Sequence, residues 1–145
     1  MKIAFPILLL LLAALACGCT GTAPATPPAS AAPAIPLITG TWAGTMNGYD
    51  RGTGFNGHDN GTVTLTVAEQ HGRVFAGNIT VIEGAAPVFT AEVAGVIGRD
   101  GKSLTVAEES GYCTGEITGP DTIELVYEND AAPFTISIDT FRRVA

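Results

Sequence analysis

The densest run of side chains able to do chemistry lies at residues 47–60, NGYDRGTGFNGHDN, where Asp50, Asn56, His58 and Asp59 supply polar donors and Tyr49 and Phe55 supply apolar faces. A long glycine-rich connection inside a compact domain is often functional. Its oxygen donors suit a hard cation, but their spacing is not that of an EF-hand and no bidentate glutamate follows, so no metal is assigned. The six residues are therefore read as contacts for a ligand; a merely solvated loop is the alternative. His58 and His71 both fall in connections, and no serine or cysteine has an aspartate–histidine constellation at a legible spacing. Neither a catalytic residue nor a cofactor is assigned, and the chain is not expected to be an enzyme. Glu108-Glu109 are adjacent and should point to opposite faces of a strand, whereas Glu124 and Glu128 share a face opposite Ile123 and Leu125. All are expected to be solvent-face charges that aid solubility. Asn60-Gly61-Thr62 and Asn78-Ile79-Thr80 are N-glycosylation sequons.

The chain has 145 positions, 46% hydrophobic and 14% charged, which excludes a disordered polar polymer and allows one domain. Seven basic against 14 acidic residues leave a net charge of −7, which argues against nucleic acid as a partner. The hydropathy is concentrated at the start, where Lys2 precedes an apolar run over residues 3–16 and small residues lead into Cys17-Gly18-Cys19-Thr20. This is the grammar of a signal peptide. The run is too short for a spanning helix, which needs about 20 apolar residues. Leu15-Ala16-Cys17-Gly18-Cys19 resembles the lipobox of secreted lipoproteins. The resemblance implies a diacylglyceryl thioether on Cys19, with Cys17 as the alternative, holding the protein on the exterior face of a membrane through covalent lipid. An ordinary secretory signal is the competing reading. Cleavage before Cys19 leaves Cys113 as the one thiol without lipid, expected to be buried as a small hydrophobe. Residues 20–38 carry no charge and repeat alanine, proline and threonine, the composition of an extended, disordered linker that adds nothing to folding. The expected organisation is a signal peptide at 1–18, a lipidated cysteine with its tether at 19–38, and a domain at 39–145.

Within that domain apolar residues recur at period two between turn residues, which predicts strands with one buried face. Eight are expected, at 40–47, 62–69, 73–82, 88–97, 103–108, 112–118, 122–128 and 134–142. Inward faces are assigned to Trp42, Gly44 and Met46 in the first strand and to Phe134, Ile136 and Ile138 in the last, with the intervening strands read in the same way. Asp100-Gly101 reads as a type I′ turn, both of whose central residues need positive φ. No amphipathic helix is legible. An antiparallel meander of eight strands removes its edges best by pairing first with last, so the predicted fold is an all-β up-and-down barrel.

The two ends, Gly40-Thr41-Trp42 and Asp139-Thr140-Phe141-Arg142-Arg143-Val144, resemble those of the calycin barrels, the lipocalins and avidins. The resemblance implies a first-strand tryptophan at the closed end beneath a basic side chain of the final strand. Parity with Ile136 and Ile138 selects Arg142 for that role, leaves Arg143 in solvent, and turns Asp139 away from the interior. With a single tryptophan, and with Gly44 and Gly48 where polar first-strand ligands would stand, biotin binding is not expected. The functional expectation is a binding module for a small or extended ligand at the barrel mouth, with a side-chain-filled structural or interaction protein of the cell envelope as the alternative. Small barrels do either. Bulky inward residues favour filling, whereas Gly44, Gly77, Ala91, Gly95 and Gly115 favour space.

Overall fold

The computed structural model describes residues 33–55 and 61–144. They form eight strands, β1 (Gly40–Asp50), β2 (Gly61–His71), β3 (Val74–Glu83), β4 (Ala86–Ile97), β5 (Ser103–Glu108), β6 (Gly111–Gly119), β7 (Thr122–Asn129) and β8 (Thr135–Arg143). Every neighbouring pair is antiparallel and β1 pairs with β8, so the sheet closes into an up-and-down barrel with no unpaired edge. This is the predicted fold, and it is compatible with a calycin-like barrel.

Period-two alternation explains the interior. Trp42, Val63, Leu65, Val67, Phe75 and Ile79 are buried, as are Ala91, Val93, Leu104, Val106, Ile123 and Leu125. Cys113 is buried among them as a free thiol. A bulge between Val67 and Glu69 shifts the β2 register, so that Gln70 lies opposite Phe75.

β8 departs from its reading. Its interior face is Ser137, Asp139 and Phe141, all buried, while Ile136 and Ile138 are 47% and 49% exposed and Phe134 is exposed beside them. Three apolar side chains outvoted the true inner face because part of that face is polar. The first connection is also shorter than expected. β1 continues through Asp50, and Asn47 to Asp50 pair with Ile138 to Thr135 of β8.

The glycines expected to leave interior space leave little. The Phe75 ring occupies the place where a Gly95 side chain would stand, and a neighbouring strand's backbone crowds Gly44, Gly77 and Gly115 in the same way. The Asp100-Gly101 turn is not type I′, since Gly101 has φ 70° and no non-glycine residue among the described residues has positive φ. Asp100 instead accepts hydrogen bonds at Oδ1 from the amides of Lys102 and Ser103 and from the Ser103 hydroxyl.

The packed domain begins before Thr39. Ile38 is 1% exposed and belongs to the core. The Gln70 amide holds this approach segment, accepting from the Ile38 N–H and donating to the Pro36 carbonyl, each at 2.9 Å. Residues 36–38, which composition places in the tether, are thus part of the barrel.

Candidate functional site

The end of the barrel where β1 starts and β8 finishes is plugged. The Trp42 indole is fully buried and its Nε1 donates to the Ile38 carbonyl at 2.9 Å. Over its face lies Arg143, the guanidinium carbon 4.1 Å from the ring centroid. Arg143 also donates to the carbonyls of Thr39 at 2.7 Å and Leu37 at 3.0 Å, and its Nε lies 3.3 Å from Asp121 Oδ1. This corrects the choice of Arg142, which is exposed. The register pairs Trp42 with Arg143, so the inward parity of β8 runs through Arg143, Phe141, Asp139 and Ser137.

Among the described residues the opposite end is open. A cavity of about 380 Å³ reaches down from a rim that includes Asp50, Glu83, Ser110 and Thr135. Its walls are Met46, Val63, Ile79, Val81, Val88 and Phe89, and Tyr127, Glu108 and Asp139 face it from β7, β5 and β8. Four of its described lining residues are carboxylates and none is lysine, arginine or histidine. A larger concavity of about 530 Å³ is a trough on the outer wall over the cross-strand row Ala76, Ala94 and Ala107. Small side chains on an open sheet surface account for that trough, and it lacks the surrounding walls of the mouth cavity.

Two acidic side chains set the electrostatics of the mouth. Asp139 is 2% exposed and its Oδ1 accepts from the Ser137 hydroxyl at 2.9 Å. Glu108 follows Leu104 and Val106 at period two and so points inward; its carboxyl is half-buried and bonded by the Tyr127 hydroxyl. Burial pushes the Glu108 carboxyl above the ordinary carboxylate range; the Tyr127 bond opposes the shift and the charge of Asp139 adds to it. Burial likewise raises the Tyr127 phenol, with the charge of Glu108 next in weight. Cys113 lies near the same charges and is pushed up to about 12, chiefly by burial and then by Glu108 and Asp139. Its thiol is protonated at neutral pH and a poor nucleophile.

Of the three described residues among the six proposed as ligand contacts, Asp50 lines the cavity and Tyr49 and Phe55 do not. Asp50 also has local work: Oδ1 accepts from the amides of Gly52 and Thr53, and Oδ2 accepts from the Thr135 hydroxyl at 2.8 Å. Tyr49 and Phe55 belong to an outer-wall aromatic group, their ring centroids 5.0 Å apart, with Phe134 stacked on Tyr49 at 6.0 Å. Asn56, His58, Asp59 and the Asn60 sequon lie outside the described residues, as do Cys17 and Cys19. Asn78 is exposed on the outer face of β3. Glu108 was missed as a site residue although its shared parity with Leu104 and Val106 was a usable signal. Asp139 was missed because the β8 parity was inverted.

Compared with known proteins, the chain matches no family model, no curated protein and no solved structure. Fold and site geometry therefore carry the functional argument: an eight-stranded antiparallel barrel, plugged at one end and hollow at the other.

Proposed function

We propose that this chain is an exported lipoprotein, held on the exterior face of a membrane by lipid on Cys19, whose barrel binds one small ligand in its mouth. The observation that carries the binding reading is the walled cavity of about 380 Å³ with apolar sides and a few convergent polar groups. That combination is what small-molecule sites are made of. The anchor reading rests on the lipobox resemblance of Leu15 to Cys19.

Native mass spectrometry of the full chain, purified from its own host in mild detergent, tests the binding reading. A retained small-molecule mass that disappears in Val81→Trp, a substitution that fills the mouth, is the expected result. An apo mass under all conditions, together with no uptake of apolar probes, would leave the interaction-protein reading. That second reading is favoured by one feature, the exposed outer-wall side chains Tyr112, Phe134, Ile136 and Ile138. The mature N-terminus should carry lipid on Cys19. Retention on the membrane lost in Cys17→Ser alone would move the anchor two residues upstream.

A further inference from the structure

We propose that the outer face of β8 is a self-association surface, on which a second copy of this chain packs about a two-fold axis running along β8. Phe134, Ile136 and Ile138 on this strand line and Tyr112 on β6 each leave between 43% and 49% of their surface in solvent, together on the order of 400 Å² of side chain. Val126 of β7, paired with Ile138 on one side and Thr114 on the other, makes the patch continuous. Contiguous apolar patches of this size commonly mark interaction surfaces. Strand propensity does not account for it, because threonine meets the same preference along the outer faces of β1 and β2, at Thr41, Thr45, Thr62, Thr64 and Thr66.

The charges on either flank select the occupant. On the β7 side the outward residues are acidic, Glu124, Glu128 and, two positions on, the exposed Asp130. On the β1 side Tyr49 is followed by the exposed Arg51, whose guanidinium carbon lies 6.0 Å from the Phe134 ring centroid and whose amide donates to the Phe134 carbonyl. Arg51, Phe134 and Asp130 thus continue the cross-strand row below Tyr49, Ile136 and Glu128. A two-fold along β8 carries the β7 flank of one copy over the β1 flank of the other. Arg51 then meets the second copy's Asp130, twice by symmetry, while the isoleucines meet each other. A two-fold across the strands through Ile138 sets Glu124 against the second copy's Glu128, a pairing of like charges. The patch is about half of the roughly 800 Å² per partner found in stable interfaces, so the pairing is weak and the charged flanks fix its orientation. The same axis brings both plugged ends to one end of the pair, as the proposed anchoring of both copies to one membrane requires.

Cross-linking of the full chain, purified in mild detergent, tests the pairing. Ile138→Cys and Ile136→Cys each place a thiol on the axis, and a short bis-maleimide suits them because packed sheets lie about 10 Å apart. The parent chain, whose described thiol Cys113 is buried, sets the background. Both axial variants are expected to give covalent dimer, and Thr105→Cys, exposed on β5, about tenfold less. Arg51→Asp or Asp130→Arg, added to Ile138→Cys, should each lower the yield at least about fivefold, and the two together should restore it. Equal yields from Thr105→Cys and Ile138→Cys would overturn the proposal, as would no dimer from either axial variant. Charge changes without effect, or a double exchange no better than the single ones, would overturn the axis along β8. The mouth reading is tested separately, since this face lies on the outer wall.

Discussion

The two ends of this barrel are built from the same strands by the same alternation, yet one is filled and the other hollow. At the plugged end the inward residues are Trp42, Ile123 and Phe141, sealed by Ile38 and by Arg143 over the indole. Toward the mouth the same strands turn polar: β7 passes from Leu125 to Tyr127 and Asn129, β5 from Val106 to Glu108, and β8 from Phe141 to Asp139, Ser137 and Thr135. The change of side-chain type along the inward rows of β5, β7 and β8 divides a packed core from a site, while β1 to β4 stay apolar along the cavity wall. Apolar rows close on themselves because contact excludes water, whereas polar rows keep room for hydrogen bonds and for a guest.

The difference can be broken most forcefully at Trp42. Truncation to alanine is expected to cost about 3–5 kcal/mol of stability, measured by denaturant unfolding, because it removes the central plug and its bond to Ile38. A loss under about 1 kcal/mol would mean that the plugged end is not the stabilising half.

Ile38→Ala should follow, costing about 2–4 kcal/mol as a buried aliphatic truncation. Deleting residues 1–35 should by contrast leave the thermal midpoint of the barrel close to that of the longer chain. Equal loss from both changes would place the start of the folded unit upstream of residue 36.

Replacing the two arginines sharpens the comparison further. Arg143→Ala should cost about 1–3 kcal/mol, since it removes a cation–π contact and two hydrogen bonds to the approach segment. Arg142→Ala should lie within about 0.5 kcal/mol of wild type. Equal costs would mean that the pairing of Trp42 with Arg143 does not govern closure.

The smallest effect belongs to the mouth, and its sign is opposite. Glu108 has a carboxyl pKa raised by burial, so the folded state holds that proton more tightly than the unfolded chain does. Its contribution to stability is full below the unfolded carboxylate pKa and is lost as pH rises through the elevated folded value. Glu108→Gln is therefore expected to match or slightly exceed wild-type stability at neutral pH and to lose that advantage under acid conditions. Thermal scans of both proteins across that range would check it. A variant clearly less stable at neutral pH would mark Glu108 as a structural support rather than a strained site group.

The sequence by itself determined the strand number, the antiparallel order and the apolar inward faces of β1 to β7, because apolar alternation and short turns are local properties written at period two; Glu108, read as a solvent-face charge, instead lines the cavity. It also determined that Trp42 is a plug and that Cys113 is buried. Tertiary structure decided β8. There the local vote of Phe134, Ile136 and Ile138 is apolar, but pairing with β1 sets Trp42 against Arg143 and Met46 against Asp139, and a one-residue difference in register exchanges the two faces of a strand. Closure likewise decided the site: Asp139 and Glu108 lie 31 positions apart, and only the barrel brings β5 and β8 to face one cavity. The docking of Pro36 to Ile38 was illegible for a related reason. Composition describes what a segment can do alone, whereas Gln70 and Arg143, brought to the same end by the fold, supply the hydrogen bonds that hold it.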